Sequence, residues 1–107
     1  MGLSVAYKVS QNVDNFPGEV QYFSNKVYVT LRGDNKAMIF NEKEDKLEQE
    51  CSFKVGDFPR FHKMTSQGYF YVACQKGNTV DKYLITPEKI TLVSQLAITT
   101  PSCVVVL

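Results

Sequence analysis

Two arginines stand out in a chain that otherwise carries its positive charge on lysine. The sequence has twelve basic residues, and only Arg32 and Arg60 are arginine. A guanidinium group presents a planar set of N–H donors that can bind a carboxylate or a phosphate through two parallel hydrogen bonds, which an ammonium group cannot reproduce. The two arginines are therefore candidates for holding an anionic ligand and for stabilising negative charge on a carbonyl oxygen.

Glu19 and Gln75 are expected to lie beside these arginines. Glu19 and Arg60 stand near the starts of two β-forming segments, whereas Arg32 and Gln75 follow the segments that come next. In an antiparallel sheet the start of one strand lies beside the end of its neighbour, so the four residues should gather at one rim of the fold. The simpler alternative is that the arginines join neighbouring parts of the fold, with Glu19 as an ion-pair partner.

The other reactive side chains give no support for a metal site or a nucleophile. His62 is the only histidine and has no acidic residue in register, so a packed histidine is the simpler interpretation. The cysteines are Cys51, Cys74 and Cys103, without a CxxC motif, which indicates reduced thiols in the cytoplasm rather than zinc or disulfides. Cys74 and Cys103 are expected in the core. No metal and no cofactor are predicted.

Aromatic residues cluster in two stretches, and they allow two interpretations. They could form a platform for a sugar ring, but packing inside the fold explains them more simply. The residues are Tyr22, Phe23, Tyr69, Phe70 and Tyr71.

A repeat organises the elements that must position these residues. Pro17, Pro59 and Pro101 follow one another at intervals of 42 residues, and Tyr28-Val29 recurs as Tyr71-Val72, 43 residues later. A fixed period of this length, with four short strand-like segments in each repeat, predicts an all-β protein built of antiparallel four-stranded propeller blades. A β-sandwich would also contain many short strands, but it does not predict prolines in phase.

The period divides the chain into two complete blades and two partial ones. We assign residues 1–15 to the end of a preceding blade, 16–57 and 58–99 to the complete blades, and 100–107 to the inner strand of a closing blade. The predicted strands are 19–23, 26–31, 37–41 and 47–53 in the first blade, and 61–65, 69–74, 79–85 and 90–97 in the second, with an exposed loop at 42–46.

The overall charge argues against two classes of partner. The 107 residues carry a formal net charge of +1. Such a weak field does not gather nucleic acid or an anionic membrane, and neither is expected as a partner.

Several motifs resemble the lactonase-type seven-bladed propellers, which include 6-phosphogluconolactonases and carboxy-muconate lactonizing enzymes. The resemblance is carried by Phe58-Pro59-Arg60, Gly68, Tyr71-Val72-Ala73-Cys74-Gln75 and the closing Pro101–Val106, together with Pro17-Gly18-Glu19-Val20 and Tyr28–Gly33. It implies that the chain is the C-terminal portion of a larger propeller.

The resemblance also implies an activity for the parent protein. The reaction would be hydrolysis or formation of a lactone of a small sugar-phosphate or carboxylated substrate without metal, and the resemblance carries over to Arg32 as the catalytic residue. From their expected position at the rim, Arg60, Glu19 and Gln75 are predicted to bind substrate. The His and Glu of the family's site would belong to other blades, so the chain by itself is expected to be inactive. Its partners would be the remaining blades, or further copies of itself joined through exposed strand edges. The alternative is a non-enzymatic propeller segment of the YVTN or WD40 kind, acting as a binding scaffold.

Overall fold

Eight antiparallel strands form two successive four-stranded sheets in the computed structural model, which describes residues 17–101. The strands of the first sheet are β1 (Pro17–Phe23), β2 (Lys26–Leu31), β3 (Lys36–Lys43) and β4 (Lys46–Lys54). Those of the second sheet are β5 (Pro59–Met64), β6 (Tyr69–Cys74), β7 (Thr79–Ile85) and β8 (Ile90–Ala97). In each sheet the strands lie in chain order, so each is an up-and-down meander, the arrangement of a propeller blade. The all-β propeller prediction is confirmed.

The assignment of residues 1–15 and of 102–107 to neighbouring blades lies outside the described part of the chain. Within residues 17–101 the structure contains no helix that is long and apolar enough to cross a membrane.

Residues with positive φ make the turns between strands tight. Ser24 and Asn25 have φ of 52° and 63°, and Glu44 and Asp45 have 54° and 63°. Two consecutive residues in this region form the two-residue hairpin turn whose twist matches that of the flanking strands. The exposed loop expected at 42–46 is therefore wrong in extent, because β3 and β4 continue to the turn and leave only two residues between them.

The two sheets pack face to face over a shared apolar core. Its centre is Phe70, fully buried, whose ring lies 5.7 Å from that of Tyr28 and 5.9 Å from that of Phe53. Tyr28 and Phe53 belong to the first sheet and Phe70 to the second, so this aromatic cluster joins the two blades. Burial of rings of this size contributes most of the apolar free energy at such a contact.

The other face of the first sheet carries its own buried cluster. The cluster is entirely apolar and consists of Val29, Leu31, Met38 and Phe40. The first sheet therefore buries apolar side chains on both faces, as expected for a blade rather than for an outer layer.

In each sheet, an asparagine in the turn between the second and third strands hydrogen-bonds to the segment of chain that follows the sheet. Asn35 has φ of 53°, and its side-chain oxygen accepts the N–H of Phe58 at 2.8 Å. Asn78, 43 residues later, has φ of 57°, and its side-chain oxygen accepts the N–H of Thr100 at 2.9 Å. Asparagine suits both roles, since it tolerates the left-handed region and carries an acceptor close to the backbone. We call each of these pairs an asparagine clamp.

The first clamp gives a stability prediction. Asn35→Ala should lower the free energy of unfolding by about 2 kcal/mol, because it leaves the Phe58 N–H without its acceptor and forces alanine into the left-handed region. Urea unfolding of the 107-residue chain measures the change. Asp45→Ala is the matched control, since Asp45 has a similar φ of 63° but sits in an exposed turn. Equal destabilisation by the two variants would show that the clamp contributes nothing.

Candidate functional site

A bulge at the start of the second sheet sets the position of Arg60. Pro59 pairs with Cys74 and Phe61 with Ala73, so Arg60 is an extra residue without a partner on β6. A bulge bends the strand and turns the side chain away from the regular alternation. Arg60 is exposed as a result.

The first sheet has the same irregularity at its equivalent edge. The register of β1 shifts between Pro17 and Val20, which are paired with Leu31 and Val29. Glu19 lies inside this shifted stretch and is half-buried. Both inner strands therefore begin with a bulge that carries one of the predicted site residues.

Phe58 connects Arg32 of the first sheet with Gln75 of the second. The guanidinium carbon of Arg32 lies 5.3 Å from the centre of the Phe58 ring. The carbonyl oxygen of Phe58 accepts the N–H of Gln75 at 2.9 Å, and its own N–H is held by the asparagine clamp. Because the N–H and the carbonyl of Phe58 are both hydrogen-bonded, its ring is held in place, and a cation can pack against its face.

Lys76 lies on the same ring. Its ammonium nitrogen is 4.3 Å from the centre of the Phe58 ring, so two cationic groups from different blades share one aromatic side chain. Lys76 and Phe58 were not predicted from the sequence as members of this group. Lys76 could have been found, because it directly follows Gln75 and falls at the same end of β6.

The inner strands of the two blades approach each other closely at Gly18. A Cβ atom at this position would lie 2.6 Å from the carbonyl oxygen of Pro59 and 2.7 Å from Oγ1 of Thr30. Only glycine fits this approach, since any side chain would displace backbone on the partner strand. The close approach sets the start of β1, and hence Glu19, beside the bulge at Arg60.

The backbone positions of the four predicted residues thus lie at one rim, which is the geometry expected of antiparallel blades. Glu19 and Arg60 are at the starts of β1 and β5, and Arg32 and Gln75 directly follow β2 and β6. Among the described residues no ion pair joins Glu19 to Arg60. Their assignment as catalytic and substrate-binding residues stays a prediction.

His62 bridges the two blades just below this rim. Its Nε2 atom is 3.0 Å from the carbonyl oxygen of Tyr28, and its Nδ1 atom is 3.2 Å from Oγ1 of Thr30. A carbonyl can only accept, so Nε2 carries the proton, and the Thr30 hydroxyl donates to Nδ1. The same hydroxyl oxygen accepts the N–H of Glu19 at 3.2 Å. One hydrogen-bonded chain therefore runs from Glu19 through Thr30 and His62 to Tyr28.

Burial keeps this imidazole neutral. His62 is 1% exposed, and desolvation lowers its pKa to about 4, although the hydrogen bond to the Tyr28 carbonyl acts in the opposite direction. Both ring nitrogens are hydrogen-bonded, and the ring packs at a tilt against that of Phe70, with the ring centres 5.1 Å apart. The expectation that His62 is packed inside the fold is confirmed.

A second buried polar pair lies deeper in the second sheet. The Cys74 thiol donates to Oδ2 of the buried Asp81 at 3.5 Å, and Gln95 donates to its other oxygen at 3.1 Å. Burial, and then the charge of Asp81, raises the pKa of the Cys74 thiol to about 12. The expectation that Cys74 lies in the core is confirmed, since its side chain is fully buried. Cys103 lies outside the described residues.

The aromatic residues divide between core and surface. Phe70 is buried between the blades, as the packing interpretation predicts. Tyr22 is 57% exposed, and its hydroxyl group bonds to Asn25 and Glu42, so the expectation that it packs between blades is wrong. Successive side chains of a strand point to opposite faces, and the preceding Gln21 bonds to Met64 of the second sheet, so Tyr22 points away from that sheet. Lys82 covers the rings of Tyr69 and Tyr71, at 4.0 and 5.7 Å from their centres.

Two grooves open between the blades, and neither contains an arginine. A groove of about 190 Å³ beside the rim is lined by β1 and β5 and includes Glu19 and His62. A larger one of about 420 Å³ lies at the opposite end of the strands, where Lys26, Met64 and Lys89 line it. Over residues 17–101, no three His, Cys, Asp or Glu side chains come together in a way that could hold a metal ion.

Comparison with known families gives one match over almost the whole sequence. The family model described as "Lactonase, 7-bladed beta-propeller" matches residues 5–107. No curated protein sequence matches the chain significantly.

Solved structures share the fold at low sequence identity. The periplasmic gluconolactonase PpgL of Pseudomonas aeruginosa is 19% identical, with a TM-score of 0.74 over 80% of this chain and 26% of its own. A putative 6-phosphogluconolactonase of Bacteroides fragilis is 20% identical, with 0.74 over 81% and 27%. A protein of Lactobacillus plantarum is 19% identical, with 0.77 over 96% and 33%. The chain therefore spans about a quarter to a third of the length of these structures.

The buried imidazole predicts how stability changes with pH. Because folding lowers the pKa of His62 from 6.5 to about 4, the unfolded chain binds the extra proton first, and stability falls as the pH drops from about 6.5 towards 4. The loss between pH 7.5 and 5 should be about 2 kcal/mol. Urea unfolding at both pH values measures it.

His62→Gln is the matched variant for this prediction, since an amide keeps one donor and one acceptor but does not titrate. Its stability should change much less between pH 7.5 and 5. The same pH dependence in both proteins would assign the effect to other groups.

Proposed function

Because the chain belongs to the lactonase family of seven-bladed β-propellers, we propose that it supplies part of the substrate-binding rim of a lactonase-like enzyme. The substrate would be a lactone of a small sugar-phosphate or carboxylated acid, and the reaction its hydrolysis or formation. The remaining blades would be the partner that completes the ring.

The chemistry divides among the four rim residues. When water attacks the lactone carbonyl carbon, negative charge develops on the carbonyl oxygen, and the Arg32 guanidinium stabilises it. The bond to the ring oxygen then breaks, and that oxygen takes up a proton to give the hydroxy acid. Arg60 binds the phosphate or carboxylate of the substrate through two N–H donors, while Glu19 and Gln75 bond to its hydroxyl groups. Guanidinium groups provide the positive charge, so the proposed reaction uses no metal.

The general base for the attacking water is assigned outside these four residues. His62 is ruled out for this role, because it is buried and both ring nitrogens are bonded within the fold. The family resemblance attributes a His and a Glu to other blades. This chain by itself is then expected to bind the anion without appreciable turnover.

The observation that carries the proposal is the position of Phe58. This one residue contacts Arg32 through its ring and Gln75 through its carbonyl oxygen, and it precedes the bulge that carries Arg60. Three of the four predicted residues therefore lie beside Phe58, whose backbone is held by hydrogen bonds. Lys76 adds a further positive charge to the same ring, which favours an anionic ligand.

A binding scaffold is the second candidate function. It is favoured by the two grooves, since Arg32, Arg60 and Gln75 line neither of them. For the compartment we propose the cytoplasm, which fits the free thiols of Cys51 and Cys74.

The lactonase-like proposal predicts a loss of anion binding on mutation of Arg32. The open-chain sugar-phosphate acid, the product of lactone hydrolysis, is titrated into the 107-residue chain while the backbone amides are followed by NMR. Shifts are expected at residues 19, 32, 60 and 75. Arg32→Ala should weaken binding at least about tenfold, and Arg32→Lys by less, because lysine keeps the charge but not the planar donor pair.

Lys89→Ala is the control for charge. It removes one positive charge from an exposed residue at the opposite end of the second sheet and should leave the affinity unchanged. If Lys89→Ala weakened binding as much as Arg32→Ala does, the effect of Arg32→Ala would be due to overall charge and not to a specific contact. A wild-type chain that neither binds the acid nor opens the lactone would contradict the proposal and favour the scaffold.

A further inference from the structure

The outer strand of the second sheet is unlike its counterpart in the first. β4 and β8 are both edge strands, since each ends the order of its sheet. β4 carries four charged residues in nine, namely Lys46, Glu48, Glu50 and Lys54, whereas β8 carries none in eight. Charged side chains on an edge strand discourage pairing with another chain, so β4 is protected and β8 is not.

The exposed apolar side chains of the described residues concentrate on and just after β8. Leu92 is 46% exposed, Val93 45%, Leu96 61% and Ile98 40%. Leu92 is paired with Tyr83 and Leu96 with Val80, which lie on opposite faces of the sheet. The edge is therefore apolar on both of its faces, and a strand added there would cover side chains above and below the ladder.

The same backbone irregularity occurs in both edge strands, so it does not account for their difference. The register of β4 skips Glu50 and that of β8 skips Val93, 43 residues later. In the first sheet the extra residue is ionic, and Glu50 accepts from Lys26 at 2.6 Å. In the second it is valine. Both edge strands thus have a bulge, but only β4 has charged side chains as well.

We propose that β8 is an interface between two copies of this chain, which pair antiparallel through their β8 strands about a twofold axis. The open ladder requires an extended strand as its partner. The β8 of a second copy is an uncharged strand of equal length with exposed apolar side chains on both faces. A β4 strand would instead set lysine and glutamate side chains against Leu92 and Leu96.

Antiparallel pairing of identical strands is self-complementary and closes at two copies. The net charge of +1 on each chain opposes the approach only weakly. In a propeller the outer strand of a blade faces away from the central axis, so β8 stays accessible when further blades are attached. The proposal is therefore independent of lactonase activity.

Sedimentation velocity of the 107-residue chain tests the pairing. An interface of one strand pair is small, so we expect a monomer–dimer equilibrium with a dissociation constant of about 10–100 μM. Leu96→Lys and Val93→Lys change exposed side chains and should preserve the fold, checked by circular dichroism. Each should raise the dissociation constant at least about tenfold, because a lysine is then set against the apolar side chains of the partner strand.

Ser52→Lys on β4 is the matched control, an exposed position on the corresponding edge strand. It should leave the dimer unchanged. Hydrogen exchange should show protection of β8 amides that increases with protein concentration, without such a change in β4. A chain that stays monomeric up to about ten times the expected constant would overturn the proposal. An assembly that survives both β8 variants, or that Ser52→Lys weakens equally, would overturn it too.

Discussion

The arrangement of the two blades depends on a neutral imidazole that neither blade could satisfy alone. His62 belongs to the second sheet, and both of its hydrogen-bond partners, the Tyr28 carbonyl and the Thr30 hydroxyl, belong to the first. A buried donor or acceptor without a partner costs about 1–3 kcal/mol, so sliding one sheet along the other would leave several groups unpaired at once. The apolar core favours contact between the blades, but this polar pairing selects one register.

The register between the two blades also determines the geometry of the rim. Thr30 bonds to His62 on one side and to the N–H of Glu19 on the other, so the contact between the blades also fixes the start of β1. Gln21 strengthens the same junction, because its amide nitrogen donates to the Met64 carbonyl at 3.2 Å and its amide oxygen accepts the Met64 N–H at 2.7 Å. A site made from residues of two blades needs this kind of support, since small displacements between its parts would separate the charged groups.

The sequence predicted the strands well and their irregularities poorly. Alternating β-branched and aromatic residues, as in Val27-Tyr28-Val29-Thr30, mark strands because they suit a half-buried pleated surface. The bulge at Arg60 has no such sequence signal, because an extra residue on one strand can be recognised only when its pairing with the neighbouring strand is known. The ring shared by Arg32 and Lys76 was missed for a similar reason, since it depends on how Phe58 is held by a residue more than twenty positions away. Position at the rim followed from topology, whereas contacts between side chains required the structure.

The asparagine clamps have a consequence for how such a protein can change in size during evolution. Each clamp joins a turn inside one sheet to the chain segment that enters the next, so the angle between neighbours is encoded locally, within one period of the sequence. A duplicated or deleted gene segment of that length would carry its own joint and would add or remove a whole blade without disturbing the others. Because each repeat contains its own asparagine, Asn35 or Asn78, the repeat can be duplicated or deleted as a unit.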